Sequence, residues 1–231
     1  MKIFHCTHCQ QLVFFENVRC LNCGHALAYL PDLMVMAALE QSADGMWRAP
    51  GNALTAPAYF LCANYLGENV CNWAIPADEP QTLCGSCRLT RVIPDLSRPE
   101  NRAAWYRLEV AKRRLVYALL GLGLTLRPQR TPGDGGLAFE FLQETVGDES
   151  GRVVTGHDNG LITINVAEAD DLRRERERHR NAEPYRTLLG HFRHESGHYY
   201  WDRLIRDKAN LPEFRRIFGD ERADYQQSLQ R

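Results

Sequence analysis

His194-Glu195-Ser196-Gly197-His198, close to the end of the chain, decides the fold of its second half. The two histidines are four residues apart, so on an α-helix both imidazoles lie on one face and can bind one metal ion. Glu195 lies beside them and can accept a proton from a water molecule that the metal activates. The pattern predicts a catalytic zinc ion held by His194 and His198, with Glu195 as general base.

The residues around this motif favour a helix. An apolar face is supplied by Leu188, Leu189 and Phe192. Pro184 is expected to open the helix, which should run to about Asp207. A second helix is expected to start at 210–212 and to end at Gly219, because glycine is the usual residue just past a helix end.

Further polar groups accompany the motif. His191 lies three residues before His194 on nearly the same face, so we expect it to line the cleft; a role behind the ligands or in substrate contact is the alternative. At least one of Tyr199, Tyr200 and Trp201 should pack in the core, and a tyrosine hydroxyl could instead stabilise an oxyanion.

All eight cysteines lie in the first 87 residues. The first set has two CxxC turns, and each turn can direct two thiolates at one ion: Cys6, Cys9, Cys20 and Cys23. This spacing predicts a structural zinc site with four sulfur ligands, although iron uses the same ligands. His5, His8 and His25 lie beside these turns and are expected to face solvent or to lie behind the ligands.

A second, looser set consists of Cys62, Cys71, Cys84 and Cys87. It has one CxxC turn and two single cysteines, and it predicts a second structural zinc site; ligands shared with the first set are the alternative. The sequence thus implies two structural zinc ions and one catalytic zinc ion.

Composition restricts the class of protein. A net charge of −1 gives no broad electrostatic case for nucleic-acid or membrane binding, although residues 173–180 are locally basic. The longest apolar stretch, 115–126, is shorter than the roughly 18 residues of a membrane helix. Residues 1–9 lack the apolar run of a signal peptide, so we expect a cytoplasmic protein whose cysteines bind metal.

The chain is expected to be α+β, with a boundary near 94–97 between a cysteine-rich region (1–95) and a second domain (96–231). A capping-box pattern at 97–100 predicts a helix over 98–122. Strands are expected at 137–146 and 152–166, with turns at 147–151 and 158–160. The mixed-charge run at 170–180 is expected to be a solvated helix face.

Three stretches together resemble a bacterial family of zinc-binding metallopeptidases with an N-terminal zinc ribbon. They are the early cysteine turns, HESGHYYWDR at 194–203 and FGDERADY at 218–225. The resemblance implies a zincin-like domain, in which a strand above the HExxH helix binds substrate along its edge. Residues 161–165 are the candidate for that strand.

The third ligand of the catalytic zinc is the open question. The resemblance implies that family members continue into a further helical segment rich in Trp, Glu and Asp, which supplies this ligand, whereas this chain ends at Arg231. Within the chain Glu221 is the first candidate and Asp224 the second. Both could instead be acids at a helix N-terminus.

These features favour a zinc metallopeptidase that acts on a peptide or protein substrate. The alternative is a zinc-stabilised binding or adaptor protein whose zincin-like domain is catalytically incomplete. A nucleic-acid-binding zinc ribbon is a third candidate, against which the neutral net charge counts.

Overall fold

The computed structural model describes residues 3–51, 57–144, 153–171, 174 and 187–224. In these ranges the protein combines three β-sheets with α-helices, which confirms the predicted α+β class. Within the same ranges, no helix has both the length and the apolar character needed to cross a membrane.

The N-terminal region contains a small hairpin and a larger antiparallel sheet. The hairpin pairs β1 (Phe4–His5) with β2 (Leu12–Val13). The sheet has five strands in chain order: β3 (Ala26–Leu30), β4 (Val35–Gln41), β5 (Trp47–Arg48), β6 (Tyr59–Leu61) and β7 (Ala74–Pro76). A single helical turn, α1 (Ala63–Leu66), lies between β6 and β7.

Strands β3 and β4 are buried on both faces. Side chains such as Leu27 and Tyr29 enter the main core, where Tyr29 packs against Trp73 and Tyr117. Their neighbours Ala28 and Leu30 point to the opposite face and form a second, smaller core. Because successive residues of a strand alternate between faces, this sheet needs apolar residues at nearly every position.

The second region is built on a four-stranded sheet with the order β10-β11-β9-β8. The strands are β8 (Thr90–Val92), β9 (Ala138–Leu142), β10 (Gly156–Asp158) and β11 (Leu161–Asn165). β11 and β8 are both parallel to β9, and β10 is antiparallel to β11. β8 precedes the expected boundary at 94–97, so the sheet of the second region continues into the first.

The strand at 161–165 forms as predicted, but its expected position at the sheet edge is wrong. β11 lies between β10 and β9, and both neighbours use its backbone groups. The turn predicted at 158–160 is present, with Asn159 and Gly160 at positive φ. The turn predicted at 147–151 lies outside the described residues.

The long helix α2 (Pro99–Gly121) matches the prediction of a helix over 98–122 within one residue at each end. The predicted capping box is wrong, because the N-cap residue is Arg98 and its side chain makes no capping hydrogen bond. Ser97 is held instead by Asp95, whose Oδ1 accepts a hydrogen bond from the Ser97 amide at 3.0 Å.

The helix that carries the HExxH motif is α3 (Leu188–Leu204). The predicted start at Pro184 is wrong, because Thr187 has extended backbone angles and its Oγ1 caps the helix by accepting from the Gly190 amide at 3.0 Å. One face is buried through Leu188, Phe192, Ser196 and Tyr199. Phe192 packs on Phe139 and Phe141 of β9, which fixes α3 against the sheet.

A last helix, α4 (Leu211–Phe218), ends at Gly219 as predicted. Its Phe214 ring packs against Trp201 of α3, with ring centroids 4.7 Å apart. Of the charged run predicted as a solvated helix face, the structure describes only residues 170, 171 and 174.

A buried ion pair on α2 holds this helix against β8. Lys112 Nζ lies 2.8 Å from the Glu109 carboxylate, and neither side chain is exposed to solvent. Thr90 of β8 donates to Glu109 Oε1 at 2.9 Å and also contacts Lys112, while Trp105 Nε1 donates to the same carboxylate at 3.3 Å. Burial raises the pKa of Glu109 above its ordinary value although Lys112 and Arg113 lower it, so the ionised carboxylate is costly at this position.

We expect Lys112→Ala to lower the free energy of unfolding by about 3–5 kcal/mol, because the Glu109 charge would stay buried without its partner. Guanidinium denaturation followed by circular dichroism measures the loss. Lys208→Ala, at an exposed lysine, is the control and should be nearly neutral. The double variant Lys112→Met with Glu109→Leu should recover most of the stability. A loss below about 0.5 kcal/mol in Lys112→Ala would show that the pair is not structurally important.

Candidate zinc-binding and catalytic site

His194 and His198 are arranged to bind one ion. Their Nε2 atoms lie 3.2 Å apart, and the rings are nearly perpendicular, with centroids 4.8 Å apart. Two nitrogens bound to one tetrahedral zinc at 2.0–2.1 Å would be roughly 3.3 Å apart. Both rings are exposed, so an ion can reach them without unfolding of the helix.

The motif occupies one flank of α3, next to its buried face. Helical geometry places Glu195, His198 and Asp202 on this flank, and His191 lies on it one turn before Glu195. Glu195, Asp202 and His191 are half-buried, whereas His194 and His198 are exposed. The flank is therefore a polar stripe at the border between core and solvent.

Strand β10 brings an additional histidine, His157, to this flank. Its ring lies nearly parallel to that of His198, with centroids 6.1 Å apart. Its Nε2 accepts a hydrogen bond from the Gly160 amide at 2.9 Å, which places the proton of the neutral ring on Nδ1. Burial lowers the pKa of His157, which favours the neutral ring. No sequence pattern indicates a role for His157, because it belongs to no motif and lies 37 residues before His194.

The predicted third ligand, Glu221, forms an ion pair with an arginine in this structure. Both its carboxylate oxygens accept hydrogen bonds from Arg215, at 2.6 and 2.9 Å, and this interaction lowers its pKa. Glu221 and Asp224 do not join His194 and His198 in a common ligand cluster within the described part of the chain. Their roles as metal ligands stay predictions.

The aromatic residues after the motif have structural partners. Tyr199 is buried, as expected for at least one of the three, and its hydroxyl donates to the Gly135 carbonyl at 3.0 Å. The Tyr200 hydroxyl donates to the Thr125 carbonyl at 3.3 Å. Both tyrosine hydroxyls are therefore used within the protein rather than directed at the HExxH residues.

Both cysteine sets form clusters. The sulfur atoms of each set lie within 4.8 Å of one another, and none of the eight cysteines, all of which the structure describes, forms a disulfide. Measured Sγ–Sγ distances are 3.7 Å for Cys6–Cys23 and 3.6 Å for Cys9–Cys20. Cys71–Cys84 in the second set gives 3.7 Å. Four sulfurs bound at about 2.3 Å around a tetrahedral zinc would be roughly 3.8 Å apart, so the clusters fit that ion.

The two clusters differ in burial. In the first, Cys9 and Cys23 are partly exposed, and hydrogen bonds from Asn22 and the Gln11 amide lower the pKa of Cys9 to about 6. All four cysteines of the second cluster are buried, and burial raises the pKa of Cys71 and Cys84 well above the ordinary value. Four thiolates can share so dry a site only with a cation between them, and a divalent metal meets this need.

The histidines next to the first cluster lie behind or beside the sulfurs. His25 Nδ1 is 3.3 Å from Cys23 Sγ, and the rings of His25 and His8 are 4.4 Å apart. His5 is exposed on β1. Of the two predicted positions, His5 thus takes the one that faces solvent, and His25 takes the one behind the sulfur ligands.

Two known protein families match different parts of the chain. Residues 101–231 match a family described as "putative zinc-binding metallo-peptidase", and residues 3–98 match a zinc-ribbon domain. The first match covers more than half of the chain, so the protein belongs to this zinc-binding metallopeptidase family. It has an N-terminal zinc ribbon followed by the peptidase-like domain, and zinc is the metal that the family and the two cysteine clusters support.

Relatives occur in mycobacteria. Proteins of Mycobacterium bovis and of two strains of Mycobacterium tuberculosis, each called an uncharacterized protein, are 42% identical to this chain over 233 aligned residues. The alignment covers 100% of this chain and 62% of each relative, so the chain spans about three fifths of their length. No solved structure is significantly similar to the chain.

We expect purified protein to retain about two tightly bound zinc equivalents, one for each cysteine cluster, and a weaker third one at His194 and His198. Cys84→Ser should lower the melting temperature more than Cys9→Ser, because the second cluster is fully buried. Elemental analysis and thermal unfolding of both variants test this. Metal-free protein with disulfides in both sets, or equal melting temperatures for the two variants, would contradict it.

Proposed function

We propose that this protein is a zinc-dependent peptidase whose catalytic zinc is held by His194 and His198. The observation that carries the proposal is the 3.2 Å separation of the two Nε2 atoms on an exposed helix flank, which suits one ion. Membership of the metallopeptidase family supports it. The substrate class, a peptide or protein, follows from that family rather than from a bound ligand.

Each residue has a distinct task in this proposal. A zinc ion at this position polarises water and carbonyl groups. Glu195, on the same flank, takes the proton of the attacking water and later delivers it to the leaving amine. The ring of His157 lies beside that of His198, and its hydrogen bond with Gly160 keeps its Nε2 out of the set of metal ligands in this arrangement.

Strand β10 is the better candidate for the strand that binds substrate. It forms the end of the four-stranded sheet in the described part of the chain, and β11 covers only one of its edges. An extended peptide can pair with such an edge through its backbone groups. Because β10 also carries His157 towards α3, a peptide paired with it would run past the HExxH residues.

One observation favours the alternative, a binding or adaptor protein. Among the described residues, no third ligand atom joins His194 and His198, whereas catalytic zinc normally has three protein ligands and an open position. In that case the zinc ribbon and the peptidase-like domain would only bind a partner. We favour the peptidase. We also propose that it acts in the cytoplasm, because reduced thiols such as these eight persist there.

The mechanism is tested by two variants. Glu195→Gln should keep the third zinc equivalent, because the amide is nearly isosteric and both histidines remain, but it should lose about 100- to 10,000-fold in the rate of casein cleavage. His198→Ala should lose both the third zinc and the cleavage. Elemental analysis and a cleavage assay of the zinc-loaded protein measure these effects.

The control is Glu213→Gln, the same substitution at an exposed residue of α4, which should behave like the wild type. If Glu195→Gln cleaves at the wild-type rate, Glu195 is not the base and the peptidase proposal fails. If the wild type cleaves nothing and metal binds only through two histidines, the adaptor function is the better account.

A further inference from the structure

His191, which neither the metal nor the base requires, forms a contact with a buried carboxylate. Its Nδ1 lies 3.3 Å from Oε2 of Glu168, within ion-pair distance but without the alignment of a hydrogen bond, and both atoms are shielded from solvent. Glu168 belongs to a 3₁₀ turn, Val166–Ala169, that directly follows β11. A carboxylate buried beside one ring nitrogen favours the form of the ring in which that nitrogen carries the proton.

The turn that carries Glu168 is held independently of His191. The side chain of Asn165 caps it, because its Oδ1 accepts from the Ala167 amide at 2.9 Å. Arg107 of α2 donates to the Ala169 carbonyl at 3.0 Å, and Arg174 contacts the Glu168 carbonyl. The carboxylate is therefore presented to His191 by a turn whose position is already fixed.

Helical geometry places His191 next to the proposed catalytic base. It precedes Glu195 by four residues, so the two side chains are neighbours on the same flank, about 6 Å apart along the helix axis. It also lies on the flank that carries His194 and His198. With Nδ1 beside Glu168 and 21% of the side chain exposed, Nε2 is the ring nitrogen that remains for a bound molecule.

We propose that His191 is a substrate-contact residue whose Nε2 accepts a hydrogen bond from a backbone N–H of the bound peptide, and that Glu168 is the positioning residue that fixes the tautomer. The peptide nature of this ligand rests on the proposed function. The contact extends the binding site along α3, on the side of the metal ligands that faces the helix N-terminus. A neutral ring with its proton on Nδ1 has the acceptor that a peptide N–H requires.

The tautomer can be measured without any substrate. Long-range ¹H–¹⁵N spectra of the zinc-loaded full chain should show the His191 proton on Nδ1, with the signal assigned by its absence in His191→Gln. In Glu168→Gln the ring should move towards the Nε2–H form, because the carboxylate acceptor is gone. Arg193→Gln, on the exposed face of the same helix, should leave the spectrum unchanged. A wild-type ring with its proton on Nε2 would overturn the positioning role.

Peptide contact is tested with tryptic peptides of casein added to the zinc-loaded Glu195→Gln protein, which should bind without cleaving. Binding should shift the His191 Nε2 resonance. In the same background, His191→Phe should weaken binding about fivefold to tenfold, the size of one lost hydrogen bond, and His191→Gln should recover part of the affinity. Zinc content should match that of the Arg193→Gln control, and circular dichroism should show that each variant is folded at the temperature of the binding assay.

The outcomes separate this inference from the proposed function. If the wild type cleaves no casein but the peptides bind and shift His191, the peptidase proposal fails and the substrate-contact role stands as a peptide-binding role. If peptides bind without affecting His191, or bind equally well to His191→Phe, the inference is wrong. Failure of all the peptides to bind overturns it as well.

Discussion

The salt bridge between Lys112 and Glu109, with no part of either side chain exposed, is the interaction on which the rest of the structure depends. It anchors α2 to Thr90 of β8, and both of its charges interact electrostatically with the Cys87 thiolate. Helix α2 also packs on α3, which carries the HExxH motif. Helix α2 therefore contacts both the surroundings of the second cysteine cluster and the helix that carries the candidate catalytic site.

This arrangement gives the second cluster a role that its sequence spacing did not suggest. A site with four thiolates around a divalent ion carries a net negative charge, and burial makes that charge expensive. The charge of Lys112 is already paired with Glu109, whereas Arg113, also buried, brings a positive charge to the cluster by donating to the Val70 carbonyl one residue before Cys71. The zinc ribbon and the peptidase-like domain are matched by separate families, yet they share one continuous hydrophobic core.

Local sequence patterns predicted most of the features that depend on interactions between residues close together in the chain. The helix at 98–122 was found within one residue, because its apolar residues repeat at helical spacing and Pro99 sits in the first turn. The cysteine turns and the HExxH spacing brought together the residues they were expected to bring together. Start positions were less accurate: Thr187 caps α3, and Ser97 is engaged by Asp95, because short polar side chains compete for the same backbone amides.

The features that the sequence did not predict depend on pairing between strands that are far apart in the chain. The five-stranded sheet gave no alternating pattern, because β3 and β4 are buried on both faces. The edge position of 161–165 was predicted wrongly, because nothing local shows that β9 and β10 lie on either side of β11. His157 and Glu168 were missed as members of the site for the same reason, since only the tertiary fold brings them to α3.

The interior position of β11 explains why both of these residues reach the same helix flank. His157 precedes β11 in the antiparallel neighbour β10, and Glu168 follows it in the 3₁₀ turn. Ile162 and Ile164 are fully buried, so a shift of β11 by one residue would expose them and is strongly disfavoured. The register that protects the core therefore also sets the spacing between His157, near His198, and Glu168, near His191.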